Sequence, residues 1–409
     1  MIRTKSLGAV LALAALVACG GSGKKDRLGE APGPGGSFRI ASLGDVDSLD
    51  PARGNNPFSR MLFRVMVRNL VHYPALPGAE GNTLVGDIAT DTGQVTGGGV
   101  VYTFQIRPGV KYQPEVAGGR EVSSADFRYA IERAFYPSVA SPLARAYFGD
   151  LFVGDEEFVA APGPDKHIGG IDVTDPKRIV FRLKRPAGDF LFRLALPLAA
   201  PVPDEYARTF DLTPRSAYAA NLAATGPYQI QRSGSTVTGY EPGDRIVLVR
   251  NPSWSAASDP IRKAYPDRIE VAERFDQADV ATDAILNGDL DYNGDFSIPA
   301  DRVEEILNTR SQKDRVFINP GTCLRYVALN TTIPPLDNVK VRQAIAYALD
   351  KASMRARRGG RRAGVIAGHV ITPGQLGFAE AGGLRYDPYP SDDAGGNATK
   401  AQETLKESG

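Results

Sequence analysis

Hydrophobic and polar positions follow two periods along this chain. Residues 37–41 (SFRIA), 100–106 (VVYTFQI), 178–183 (RIVFRL) and 245–250 (RIVLVR) are short runs rich in β-branched and aromatic side chains, and each reads as a strand. The second run ends at the turn Arg107-Pro108-Gly109 and the last at Asn251-Pro252. Gly226-Pro227-Tyr228 opens a further segment, and 325–329 is strand-like. Elsewhere the period is helical. After the cap pair Ser123-Ser124, residues Phe127, Ala130, Ile131, Ala134 and Phe135 make one apolar stripe, which Pro137 ends. Residues 61–70 look helical, and 279–286 read as a helix closed by Gly288. Asp337-Asn338 caps another helix through Val339, Ile345, Ala346 and Leu349. Residues 399–406 form the last, with Gly409 where a C-terminal cap would sit. Strands mixed with helices, without a strict βαβ period or an internal repeat, predict an α/β protein of several lobes.

The first 36 residues obey a different pattern. Arg3 and Lys5 precede an uncharged apolar run, residues 7–17. That run is too short to cross a bilayer, which takes about 20 residues, and it fits the core of a secretory signal. Leu16-Val17-Ala18-Cys19 then leads into Gly20-Gly21-Ser22-Gly23. Small residues before a cysteine resemble the lipobox of bacterial lipoproteins, in which that thiol receives a diacylglycerol. A plain secretory signal with an incidental cysteine is the other reading. The segments expected are a signal peptide over 1–18, a flexible tether over 19–36 and a folded body from residue 37.

Composition narrows the chemistry. The chain has 409 residues, 42% hydrophobic and 23% charged, which is ordinary for a globular protein. Its 48 Lys+Arg against 47 Asp+Glu give a net charge of +1, which argues against nucleic acid as a partner. Two cysteines exclude a disulfide scaffold, and three scattered histidines make a metal site unexpected. G-x-S-x-G, H-E-x-x-H, C-x-x-C and a helix-opening G-x-G-x-x-G are all missing. A hydrolase working through two unpatterned carboxylates remains open. Asp45, Asp47 and Asp50 fail the calcium-loop spacing and read as solvated turn carboxylates or a helix cap. The basic run from Arg355 to Arg362 lacks interleaved aromatics and reads as a solvated loop.

Several short runs, taken in order, resemble a known family. They are Ser48-Leu49-Asp50-Pro51, Val122-Ser123-Ser124-Ala125-Asp126-Phe127, Thr225-Gly226-Pro227-Tyr228, Arg250-Asn251-Pro252-Ser253-Trp254, and Asn330-Thr331-Thr332 followed by Val341-Arg342-Gln343-Ala344. Together they are similar to the peptide/nickel class of extracytoplasmic solute-binding proteins, the receptors of ABC importers. Asp387-Pro388-Tyr389 and the Asp392 to Gly396 run look like actinobacterial lipoprotein members. The resemblance implies a two-lobed periplasmic-binding-protein-like α/β fold with an extra small domain. Lobe I would cover 37–255, with the small domain inserted at about 52–175, and lobe II would cover 256–409. It also implies that the chain stops before lobe II is complete, so that the acid pairing with a peptide's ammonium group would lie beyond Gly409.

By the same resemblance, ligand is trapped by lobe closure and passed to the permease and ATPase subunits, with no bond broken and no cofactor or metal. Peptides would bind extended, through main-chain hydrogen bonds. Position by position, the loop Asn55-Asn56-Pro57-Phe58 would touch ligand main chain, a plain turn being the alternative. Leu143 stands where oligopeptide-binding members place a pocket Tyr, which weakens the case for a peptide. Tyr326 would face the ligand, a core strand tyrosine being the alternative. Cys323 would be a buried free thiol or half of a bridge to a residue not present here. Trp254 would pack at a lobe boundary. The resulting reading is a lipid-anchored receptor for a peptide or similar solute, on the outer face of the cell membrane. An exported enzyme acting on glycan or peptide, or a surface adhesin, are the alternatives.

Overall fold

The computed structural model describes residues 33–76, 78–317, 323–362 and 364–409. The signal segment, Cys19 and most of the tether lie outside the described residues. The body opens with β1 (Ser37–Ala41), which leads through a turn-rich loop to α1 (Pro57–Met66). Asn56 caps that helix and Pro57 occupies its first turn, so it starts four residues before the periodicity alone predicts.

The chain then builds an inserted unit. Its antiparallel sheet has β2 (Gln94–Thr96), β3 (Val101–Gln105), β4 (Ile171–Asp175) and β5 (Arg178–Arg182) in the order β2-β3-β5-β4. Against this pack α2 (Ser124–Arg133), α3 (Phe190–Leu194) and α4 (Asp204–Asp211). Ser123 and Asp126 close a capping box at the start of α2, as the Ser-Ser pair predicts. One apolar core runs through this unit, from Ala52 and Phe104 to Phe181, Phe190 and Ala223. The small domain therefore extends well past the expected limit of 175, since β5 is a central strand of its sheet.

The chain returns to the first sheet with β6 (Tyr228–Ile230), β7 (Tyr240–Glu241), β8 (Arg245–Arg250) and β9 (Arg268–Ala272). Then α5 (Ala278–Leu286) crosses to β10 (Tyr292–Asn293). The order is β7-β8-β9-β1-β10, with β6 paired to β8. β1 is parallel to both β9 and β10, with Ile40 level with Val271 and Tyr292. Ile246, Val247 and Leu248 are buried in succession, the mark of a strand covered on both faces. Ile40, Leu62, Phe63, Met66, Leu248 and Val271 share the core between this sheet and α1. The expected lobe boundary after residue 255 cuts through this sheet, because β9 and β10 follow it and both pair with β1. A split βαβ unit joins strands distant in sequence, and no local pattern announces that.

Beyond residue 299 come α6 (Ala300–Asn308), α7 (Val339–Ala348) and α8 (Ala398–Lys406). Asn338 caps α7 as predicted, and its Nδ2 donates to the Ser408 carbonyl just past α8. Residues 325–329 are not a strand. No partner strand lies beside them among the described residues, and Tyr326 and Val327 are exposed, at 77% and 62%.

Candidate functional site

Three parallel strands, β9, β1 and β10, end side by side. In open α/β sheets the crevice outside such carboxyl ends is where ligands bind. The loop after β1 covers this edge, flanked by Glu273 after β9 and Gly294-Asp295 after β10. The Leu43 N–H donates to Asp295 Oδ1 at 2.8 Å, and the Gly294 N–H to the Ala41 carbonyl at 2.8 Å. Gly294 is required by proximity. A Cβ there would lie 2.7 Å from the Phe58 ring and 2.9 Å from the Ala41 carbonyl oxygen.

Asp47 shapes the loop that leads into α1. It accepts the N–H groups of Asn55 and Asn56 at 2.8 and 3.0 Å and the Ser59 hydroxyl at 2.5 Å. Partial burial works against its charge, but these bonds, with Ser59 foremost, hold its carboxyl below the ordinary range. Asn56 Oδ1 accepts the Ser59 N–H at 2.6 Å, and Asn55 Oδ1 accepts from the Arg60 guanidinium. The side-chain NH₂ groups of both asparagines make no hydrogen bond among the described residues. Each remains a free donor at the mouth of the sheet.

A buried ion cluster ties this loop to the inserted unit. Arg133 on α2 reaches both Asp50 oxygens at 2.9 Å and both Asp211 oxygens at 2.6 and 2.7 Å. Its guanidinium lies over the Tyr218 ring, 4.4 Å from the centroid. Burial disfavours the cation, but Asp50 and Asp211 outweigh that and raise its pKa well above the ordinary value. Nearby, the Ser141 hydroxyl donates to the Ala52 carbonyl. Below α1, Arg68 and Arg262 share Asp87, at 2.8 and 2.9 Å, and Trp254 Nε1 donates to Asp259 at 2.9 Å beside them. Trp254 thus steadies a buried ion network.

The residues expected to bind ligand separate into two groups. Asn55 and Pro57 are exposed and Asn56 is half-buried, all on the loop at the sheet mouth. Phe58 and Leu143 are not available to a ligand. Phe58 is 2% exposed in the core under α1, and Leu143 is 9% exposed in the core of the inserted unit. A large apolar side chain beside an ordered helix start is worth more buried than facing solvent. Tyr326 makes no hydrogen bond or ring contact among the described residues. Cys323 is an exposed free thiol, not a buried one. Arg133, Asp211 and Glu273 are buried charged groups that pattern reading missed. The Ser48 to Pro51 run pointed near Asp50, but its cation is 83 residues away. Asp45 and Asp47 are exposed turn acceptors as expected, whereas Asp50 is buried and ion-paired, not solvated.

Residues 83–409 match the model of the bacterial extracellular solute-binding proteins, family 5, middle region. The chain belongs to this family. The family consists of binding proteins and not enzymes, and the α/β periplasmic binding protein fold is shared with its solved structures. The glutathione-binding protein GsiB of Salmonella typhi is 23% identical over 382 residues, covering 90% of this chain and 61% of that protein. GsiB of Escherichia coli K12 is 22% identical over the same length. Among solved structures, the clavulanic acid biosynthesis oligopeptide binding protein 2 superposes with a TM-score of 0.76 at 32% identity, over 92% of this chain and 64% of that one. The periplasmic binding protein DppA from Helicobacter pylori, in complex with the peptide STSA, gives 0.67 at 20% identity, over 92% and 66%. The chain thus spans less than two thirds of the length of these curated relatives.

Proposed function

We propose that this protein is the substrate-binding receptor of an ABC importer, capturing extracellular peptides or similar small solutes by lobe closure and delivering them to the permease. The observation that carries this reading is the Asn55-Asn56 loop. Asp47 fixes its backbone before any ligand arrives, and two free amide groups stand beside the carboxyl ends of β1, β9 and β10. Amide donors on a preset loop suit the carbonyls of an extended peptide and ask little of its side chains. The names of the relatives support the same class, since they include oligopeptide-binding and glutathione-binding proteins and one peptide complex.

In this reading Asn55, Asn56 and Pro57 contact ligand from the first lobe and Tyr326 from the second. Cys19 carries the lipid that holds the receptor on the outer face of the cell membrane. No catalytic group, metal or cofactor takes part. Mass spectrometry of solute co-purified with the native protein tests the reading. Intact short peptides, depleted in an Asn55→Ala/Asn56→Ala variant, are the expected result. No co-purified solute, or peptides retained equally by that variant, would contradict it.

A further inference from the structure

Beside α1, the helix and the inserted unit line a half-open cavity of about 390 Å³. Arg60 and Arg64 line it from α1, Arg193 from α3, and Tyr73, Tyr147 and Phe192 supply aromatic walls. The charges do not cancel. Arg193 is paired with Asp189 at 3.0 Å, and that is the one carboxylate on the lining. Arg60 and Arg64 form no ion pair among the described residues. Arg64 is half-buried and spends one nitrogen on the Tyr73 carbonyl at 2.9 Å, leaving its other donors without an acceptor among the described residues. Burial first, and then the charge of Arg262, push its pKa down from the ordinary value. His72 also borders the cavity. Burial and Arg262 push it down to about 4, so it is neutral at neutral pH and supplies no counter-charge.

The spare donors of this half-buried guanidinium are open to the cavity, where an anion would meet them with charge-assisted hydrogen bonds. Aromatic faces beside it favour a flat apolar body on that anion. We propose that this cavity is a second ligand site, separate from the peptide mouth, for a small organic acid whose carboxylate meets Arg64 and whose aromatic or apolar portion lies against Phe192 and Tyr147. The volume is within the range of small-molecule pockets, roughly 300–1,000 Å³. The cavity adjoins the Asn55-Asn56 loop only through Arg60, which donates to Asn55 Oδ1, and the inference does not depend on the peptide reading, because Arg64, Phe192 and Tyr147 make no hydrogen bond to that loop among the described residues.

Benzoate and its neutral isostere benzamide are the probes, titrated calorimetrically into the native protein. Benzoate should bind saturably, with benzamide and the Arg64→Gln variant each weaker by about tenfold or more, the factor that 1.4 kcal/mol represents. Phe192→Ala should weaken benzoate while leaving α1 intact, and it keeps the test decisive if Arg64→Gln folds poorly. Peptide retention, read on the same samples, should be unchanged. Equal binding of benzamide, equal binding by the variants, or no saturation by about 10 mM, a Kd range worth under roughly 2.7 kcal/mol, would overturn the proposal. Tighter binding of inorganic phosphate than of benzoate would do so too, since the aromatic walls would then contribute nothing.

Discussion

Glu273 meets Asp45 where β9 and β1 end, carboxyl group against carboxyl group. Glu273 is 5% exposed, and neither of its oxygens makes a well-formed hydrogen bond. The nearest backbone donors, Val46 and Gly243, are bonded to Asp45 instead, at 2.7 and 3.1 Å. Burial first, and the Asp45 carboxylate second, push the Glu273 carboxyl up to about 8. The pair is therefore settled by a proton at neutral pH.

Glu273 makes stability fall as pH rises. Its folded pKa lies above the unfolded one, so between about pH 4.5 and 8 the folded state holds a proton that the unfolded state has lost. Unfolding becomes easier across that window. Glu273→Gln should remove the slope and stabilise the protein at pH 8 by on the order of 4 kcal/mol. Urea titrations at pH 5 and pH 8 check this. A variant with the same pH slope as the parent would show that the pair is not the titrating element.

Asp50→Ala should be among the most damaging single substitutions. It leaves Arg133 and Asp211 buried with an incomplete partner set, a mechanism worth about 3–5 kcal/mol. The loss should appear in thermal unfolding. It should also free the 42–56 loop, which proteolysis would read as new cleavage there.

Gly294→Ala tests proximity without touching charge. The new methyl meets the Phe58 ring and the Ala41 carbonyl, and overpacking of this kind costs about 1–3 kcal/mol. Lower stability together with weaker solute retention is expected. A neutral effect on both would mean that α1 can shift away from β10 at no cost.

Much of the fold was legible in the chain, and the reasons differ by element. The β-branched run 245–250 and the Ser123 cap are local signals, and the structure reproduces both. The lobe limits were not legible, because β9 and β10 join β1 across more than 200 residues. At the site, Asn55 and Asn56 were visible as amides on a turn. Their order depends on Asp47, which the sequence marks only as one of three acids in a loop. Phe58 and Leu143 misled because residue type does not tell a pocket wall from a core. The strand-like run 325–329 misled because propensity without a neighbouring strand makes no sheet.

Cys323 offers a rapid check on that segment. It is exposed and unpaired, so a thiol reagent should label it in the native protein as fast as in denaturant. Labelling that waits for unfolding would return it to the buried state first expected.

The central claim is that the protein binds peptides and leaves them intact. Calorimetric titration of the native protein with a mixture of short unlabelled peptides, followed by mass analysis of the same sample, tests it most directly. Saturable heat, abolished in Asn55→Ala/Asn56→Ala and accompanied by full recovery of unchanged peptide, is the result predicted. Shortened peptides after the titration, or saturable heat that the double variant preserves, would contradict it.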